Sequence, residues 1–63
     1  MIFEQIQKLA IEKNISIAEL ERQSGLSNGA IGKWRTVMPN AGSLLAVAKV
    51  LNVSIEQLVD EKE

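Results

Sequence analysis

The sequence predicts an all-α fold of five short helices packed into one compact domain. Three observations lead there. Apolar residues recur at three-to-four spacing through most of the chain, and no stretch alternates with the period of a strand. Two Ser-x-x-Glu/Gln boxes, Ser16 to Glu19 and Ser54 to Gln57, mark helix starts. Between the periodic stretches lie Asn14, Gly25, Pro39 and Asn52, residues suited to ending a helix.

Ile2/Phe3, Ile6, Leu9/Ala10 and Lys13 place an amphipathic helix over residues 2–13, which Asn14-Ile15 breaks. In the first box the Ser16 hydroxyl accepts the N3 amide proton while Glu19 reaches back to the Ser16 amide, opening a second helix over 17–24. Gly25 suits the left-handed residue after that helix, and Leu26 can return to the core. Ser27 is a good N-cap for a third helix over 28–36. Gly29 and Gly32 each cost that helix up to about 1 kcal/mol, so Ile31 and Trp34 must anchor it by packing. Val37-Met38-Pro39-Asn40 is a loop, because Pro39 disfavours helical geometry at Met38. Asn40 caps a fourth helix over 41–51 with Leu44, Leu45, Ala48 and Leu51 as its apolar stripe. Asn52 ends it, and the second box opens a short fifth helix with Ile55 and Leu58 inward.

With 63 residues the chain holds one domain, expected over 1–60, with 61–63 as a frayed tail. There is no Cys and no His, which removes disulfides, thiolate sites, the commonest general base and the commonest metal ligand. No Gly-rich phosphate loop in strand–helix context and no paired carboxylates in a predictable pocket are found, so neither an enzyme, a cofactor, a metal site nor a small-molecule substrate is expected. No apolar run approaches the ~20 residues of a membrane span, and the expectation is a soluble, cytoplasmic protein without a membrane partner. Net charge is −1, but it is segregated. Residues 22–55 carry Arg22, Lys33, Arg35 and Lys49 with no acid, while both ends are acidic. A basic middle of this kind can mark a face meant for phosphate.

Residues 17–36 read as helix, Gly-containing turn, helix, the layout of a DNA-reading helix-turn-helix. On Ser16-Ile17-Ala18-Glu19-Leu20, Gly25-Leu26-Ser27, Ile31-Gly32-Lys33-Trp34 and the run from Leu44 to Ser54, the sequence resembles the Cro/CI-type (XRE) family of phage and bacterial repressors. The resemblance covers nearly the whole chain and implies a lambda-repressor-like five-helix domain. It also implies sequence-specific binding to double-stranded DNA as a transcriptional regulator, specifically a repressor, with residues 28–36 as the recognition helix in the major groove.

The resemblance assigns Ser27, Asn28, Gly29, Gly32 and Lys33 to the DNA face, with Arg22 and Arg35 as phosphate contacts at longer range. Asn28 is the best base reader, since Asn pairs bidentately with adenine. Lys33 reaches guanine or phosphate, and Ser27 with the helix amino end offers backbone amides to phosphate. The family pattern is left at Ile17, where Gln is common, at Glu21, where a small residue is usual, and at Ser24, which replaces an apolar residue. Trp34 reads as a core anchor, with stacking on a base as the alternative, and Ile17 as packing on the fourth helix or as an apolar contact with a thymine methyl. Relatives often pair through the loop after the recognition helix and the chain end, which makes Val37, Met38, Leu58 and Val59 the expected homodimer patch. The competing function on the same fold is a protein-interaction module that binds an antirepressor or a toxin.

Overall fold

The helices end at residues whose chemistry stops them, and those boundaries set the architecture. The computed structural model describes residues 2–59. Helix α1 is Ile2–Glu12, α2 Ile17–Gln23, then comes a 3-10 helix at Ile31–Arg35, α3 Ala41–Leu51 and α4 Ile55–Val59. Among the described residues there is no strand. The expected fraying at 61–63 lies outside the described residues.

The three longer helices close in one way. After α1, Asn14 turns left-handed at φ 62°, its amide donates to Ile11 O at 3.0 Å, and the Ile15 amide donates to Ala10 O at 2.9 Å. After α2, Gly25 is left-handed at φ 77°, donating to Arg22 O, and the Leu26 amide donates to Glu21 O at 2.8 Å. After α3, Asn52 at φ 60° donates to Lys49 O, and the Val53 amide donates to Ala48 O at 3.0 Å. This is the paired closure that satisfies the last carbonyls of a helix. In each case the next residue is apolar, and Ile15, Leu26 and Val53 all pack against the core.

That core is aliphatic with two aromatics. Ile2, Phe3, Ile6, Leu9 and Ala10 of α1 meet Leu20 of α2, Ile31 and Trp34 of the 3-10 helix, Leu44, Val47, Ala48 and Leu51 of α3, and Leu58 of α4. Helix α1 packs against both the 3-10 helix and α4, while α2 packs on α3. The Gln5 side-chain amide adds a polar tie, donating to Gln57 O at 2.9 Å. Ile17 is half-buried against the core, as its packing role requires. No helix among the described residues is long and apolar enough to cross a membrane.

Four expectations need correction. The third helix does not run over 28–36; residues 28–30 form a turn, and only Ile31–Arg35 are helical, in the tighter 3-10 form. Gly29 explains this, because its φ of 89° lies outside any right-handed helix. On α3 the buried stripe is Leu44, Val47, Ala48 and Leu51, while Leu45 is 46% exposed. Packing on the neighbouring helices selects the set at i, i+3, i+4, i+7, which leaves Leu45, a further 100° or so around the axis, outside it. Leu58 cannot serve a dimer interface, because it is fully buried within this chain at 0% exposure. Finally, the first capping box forms by half. Ser16 accepts from the Glu19 amide at 3.0 Å, but the Glu19 carboxylate turns to Arg22 and to the Gln23 side chain. The second box forms in both directions, between Ser54 and Gln57.

Candidate nucleic-acid interface

The candidate surface is built from α2 and the segment after it. Ser16 fixes where α2 begins, and Leu20, fully buried, fixes which face turns inward. Residues on the outer face then border an open cleft between α2 and the turn, lined by Ser16, Ala18, Arg22, Gly25 and Asn28 together with Glu19 and Glu21. The cleft brings Arg22 and Asn28 together. Its two acids are engaged: Glu19 with Arg22 and Gln23, and Glu21 with backbone.

The turn is a tip with few side chains. Ser27, Asn28, Gly29, Gly32 and Lys33 are all exposed. Nothing lies within 4 Å of where a Cβ would stand at Gly29 or Gly32, so the backbone there is open to close approach. Asn28 and Lys33 are the two long polar side chains that rise from it. Beneath them Ile31, 0% exposed, and Trp34, 7% exposed, anchor the segment in the core, so Trp34 is not available to stack on a base.

Most backbone donors of the tip are already engaged within the chain. Glu21 is 3% exposed, and its carboxylate accepts from the amides of Gly29 and Ile31, each at 3.0 Å. The Ala30 amide donates to Ser27 O at 3.0 Å and the Lys33 amide to Ala30 O at 3.2 Å. At the start of the 3-10 helix the amides of Gly29, Ala30, Ile31 and Lys33 are thus engaged within the chain. The amides of Ser27 and Asn28 have no acceptor among the described residues.

Arg35 sits elsewhere. Its guanidinium lies over the Phe3 ring, 4.5 Å from the centroid, in a shallow depression shared with Glu4 and Gln7 of α1. Cation–π contact of this kind ties the 3-10 helix to α1. Lys33 and Arg35 are two residues apart on a helix of about three residues per turn, so they leave it in different directions. Of the exposed apolar residues, Val37 is 59%, Met38 71% and Val59 37% exposed.

In the sequence Glu21 stands out only as a departure from the family pattern, although a further signal is present. Ser27 should open a helix, but the position three residues on is Ala30, which cannot supply the usual Glu or Gln of a capping box. The carboxylate comes instead from the preceding helix.

Residues 5–62 match the family described as the Cro/C1-type HTH DNA-binding domain. The chain is also 36% identical over 62 residues to the SPbeta prophage-derived uncharacterized HTH-type transcriptional regulator YopO of Bacillus subtilis (strain 168). That alignment covers 94% of this chain and 87% of the relative. No solved structure matches the chain.

Proposed function

The chain belongs to the Cro/C1-type helix-turn-helix DNA-binding domain family, and from that premise we propose that it is a sequence-specific regulator of transcription, a repressor, that enters the major groove with the tip 27–33. The observation that carries this reading is the joint placement of Arg22 and Asn28 on one open cleft, with Lys33 exposed on the adjoining tip. The tip's bare glycine backbone favours it too, since DNA can approach closely there. So does the absence of any acid from 22 to 55.

In this reading Asn28 pairs with an adenine edge and Lys33 meets guanine or phosphate. Ser27, with its own amide and that of Asn28, and Arg22, released from Glu19, hold the backbone. Gly29 and Gly32 contribute space. Arg35 acts only at longer range through its charge, because its guanidinium is engaged on Phe3.

The same reading includes a homodimer. Val37, Met38 and Val59 are exposed apolar side chains on the loop after the 3-10 helix and on the last helix. A two-fold pair would place two tips about 34 Å apart, one helical turn of DNA. Light scattering that finds only monomer at high micromolar concentration, both free and on DNA, removes the dimer.

The test is selection from random duplex DNA at low salt, then a salt titration on the recovered sequence. An enriched palindrome with half-sites one helical turn apart is the expected result. Asn28→Ala should weaken binding to it by about 1–3 kcal/mol and relax one position. Lys33→Ala, if its contact is to phosphate, should lower the salt slope by about one. No enriched sequence, and equal affinity of both variants for every duplex, would turn the reading towards a protein partner on the same fold.

A further inference from the structure

Glu21 is the single buried charged residue among the described residues. A carboxylate withdrawn from water is costly unless its oxygens are satisfied. Here each oxygen takes one backbone amide: Oε1 that of Gly29 and Oε2 that of Ile31. Among the described residues the ion pair that forms on α2 is Arg22 with Glu19, so Glu21 is compensated by the two amides rather than by a cation.

The two amides belong to residues two apart, and bridging them with one rigid carboxylate fixes the backbone between them. Gly29 is held at φ 89°, a value that glycine tolerates and other residues rarely adopt. Asn28 lies immediately before this bridge, and its far end, Ile31, is the first residue of the 3-10 helix. The carboxylate itself stands on α2, which Ser16 caps and Leu20 anchors. The direction in which Asn28 leaves the tip is thereby referred to α2 and not to the rest of the tip, which has few side chains of its own.

The same two bonds have a second consequence. The amides of Gly29 and Ile31 are spent inside the protein, so they cannot be donated to phosphate, which would be a contact blind to sequence. The negative charge behind the tip further disfavours phosphate there. Both effects move binding energy away from any duplex and towards the one Asn28 fits.

We propose that Glu21 is a positioning residue for DNA recognition, setting the tip that presents Asn28 and withholding two amides from sequence-independent phosphate binding. This rests on the reading that the tip 27–33 meets DNA.

The experiment compares wild-type protein, Glu21→Gln, Glu21→Asp and Asn28→Ala on two probes: the duplex recovered by selection and a random-sequence duplex pool. Glu21→Gln keeps the shape but opposes an NH2 to a backbone N–H, so one bond is lost. Its ratio of specific to random binding should fall by about tenfold, the size of one charge-assisted hydrogen bond, with binding to the random pool unchanged or raised. Glu21→Asp keeps the charge on too short a stem, so specific binding should fall with no gain on the pool. A purely structural role would lower both bindings in step with the folded fraction, and that result overturns the proposal. Should Asn28→Ala collapse the ratio while Glu21→Gln leaves it intact, the proposal fails and the DNA reading survives. Should Asn28→Ala leave the ratio unchanged, base reading by the tip fails instead. Wild-type protein gives a check independent of folding in the variants. In an NMR titration with the random pool, the Gly29 and Ile31 amides should stay downfield and slow to exchange, whereas their transfer to DNA would overturn the withheld-amide role.

Discussion

Asn14-Ile15-Ser16, Gly25-Leu26-Ser27 and Asn52-Val53-Ser54 are the same junction used three times: a left-handed residue, an apolar residue that turns into the core, and a serine. The three differ in the element each serine opens. After Ser16 and after Ser54 an α-helix starts at once, with the serine oxygen accepting the amide three residues on. After Ser27 the chain makes a turn and then a 3-10 helix. The third residue after each serine is Glu19, Ala30 or Gln57, so the middle junction alone lacks a polar side chain there. Gly29, left-handed, completes the break, and Glu21 supplies from α2 the acceptor that the tip does not carry itself. Two junctions serve the fold; the middle one turns an otherwise ordinary helix start into an exposed tip whose shape is set from outside.

The contrast between the junctions breaks most heavily at Leu58, which anchors the element after the last one. Leu58→Ala should cost about 2–5 kcal/mol of stability by denaturant unfolding. An unaffected midpoint, with altered self-association instead, would return Leu58 to a dimer interface. Next, Gly29→Ala should cost about 1–2 kcal/mol although its Cβ would meet no neighbour, because the penalty is backbone strain. No loss there would mean that the tip is not held in its left-handed form. Ser16→Ala and Ser54→Ala should each cost about 1 kcal/mol, as lost helix caps do, while Ser27→Ala should cost close to nothing in stability. Equal losses at all three would make the middle junction an ordinary helix start. The smallest effect belongs to Ser24, whose hydroxyl is buried without a partner among the described residues. Ser24→Ala should leave stability unchanged or raise it slightly by thermal melt, since a desolvated, unpaired hydroxyl is removed.

Most of the scaffold is legible in the sequence because it rests on local chemistry. The capping serines, Asn40 and the left-handed Gly25 and Asn52 act within four residues of their partners, so spacing alone reveals the helix ends. The family resemblance drawn on those segments agrees with the match over 5–62. The features that sequence hides are non-local or ambiguous by spacing. Glu21 acts on residues eight and ten positions away, and nothing in helical periodicity reports a bond of that reach. The adjacent Leu44 and Leu45 look alike in sequence, and only the packing of α3 on its neighbours chooses Leu44 and Val47. Arg35 reads in sequence as a charge facing DNA because its partner Phe3 lies 32 positions away, near the start of the chain. For the candidate site, exposure at Ser27, Asn28, Gly29, Gly32, Lys33 and Arg22 agrees with a surface role, and Arg22 and Asn28 share a cleft.

DNA binding through the tip is tested most directly by an amide-resolved NMR titration of the wild-type chain with a short random-sequence duplex at low salt. It requires no knowledge of the operator. Shifts should concentrate at Ser16, Arg22, Ser27, Asn28, Gly32 and Lys33, while the Gly29 and Ile31 amides stay bonded to Glu21, and raising the salt should reverse them. Shifts centred on Val37, Met38, Leu45 and Val59, or none at all at millimolar duplex, would contradict a DNA-reading tip.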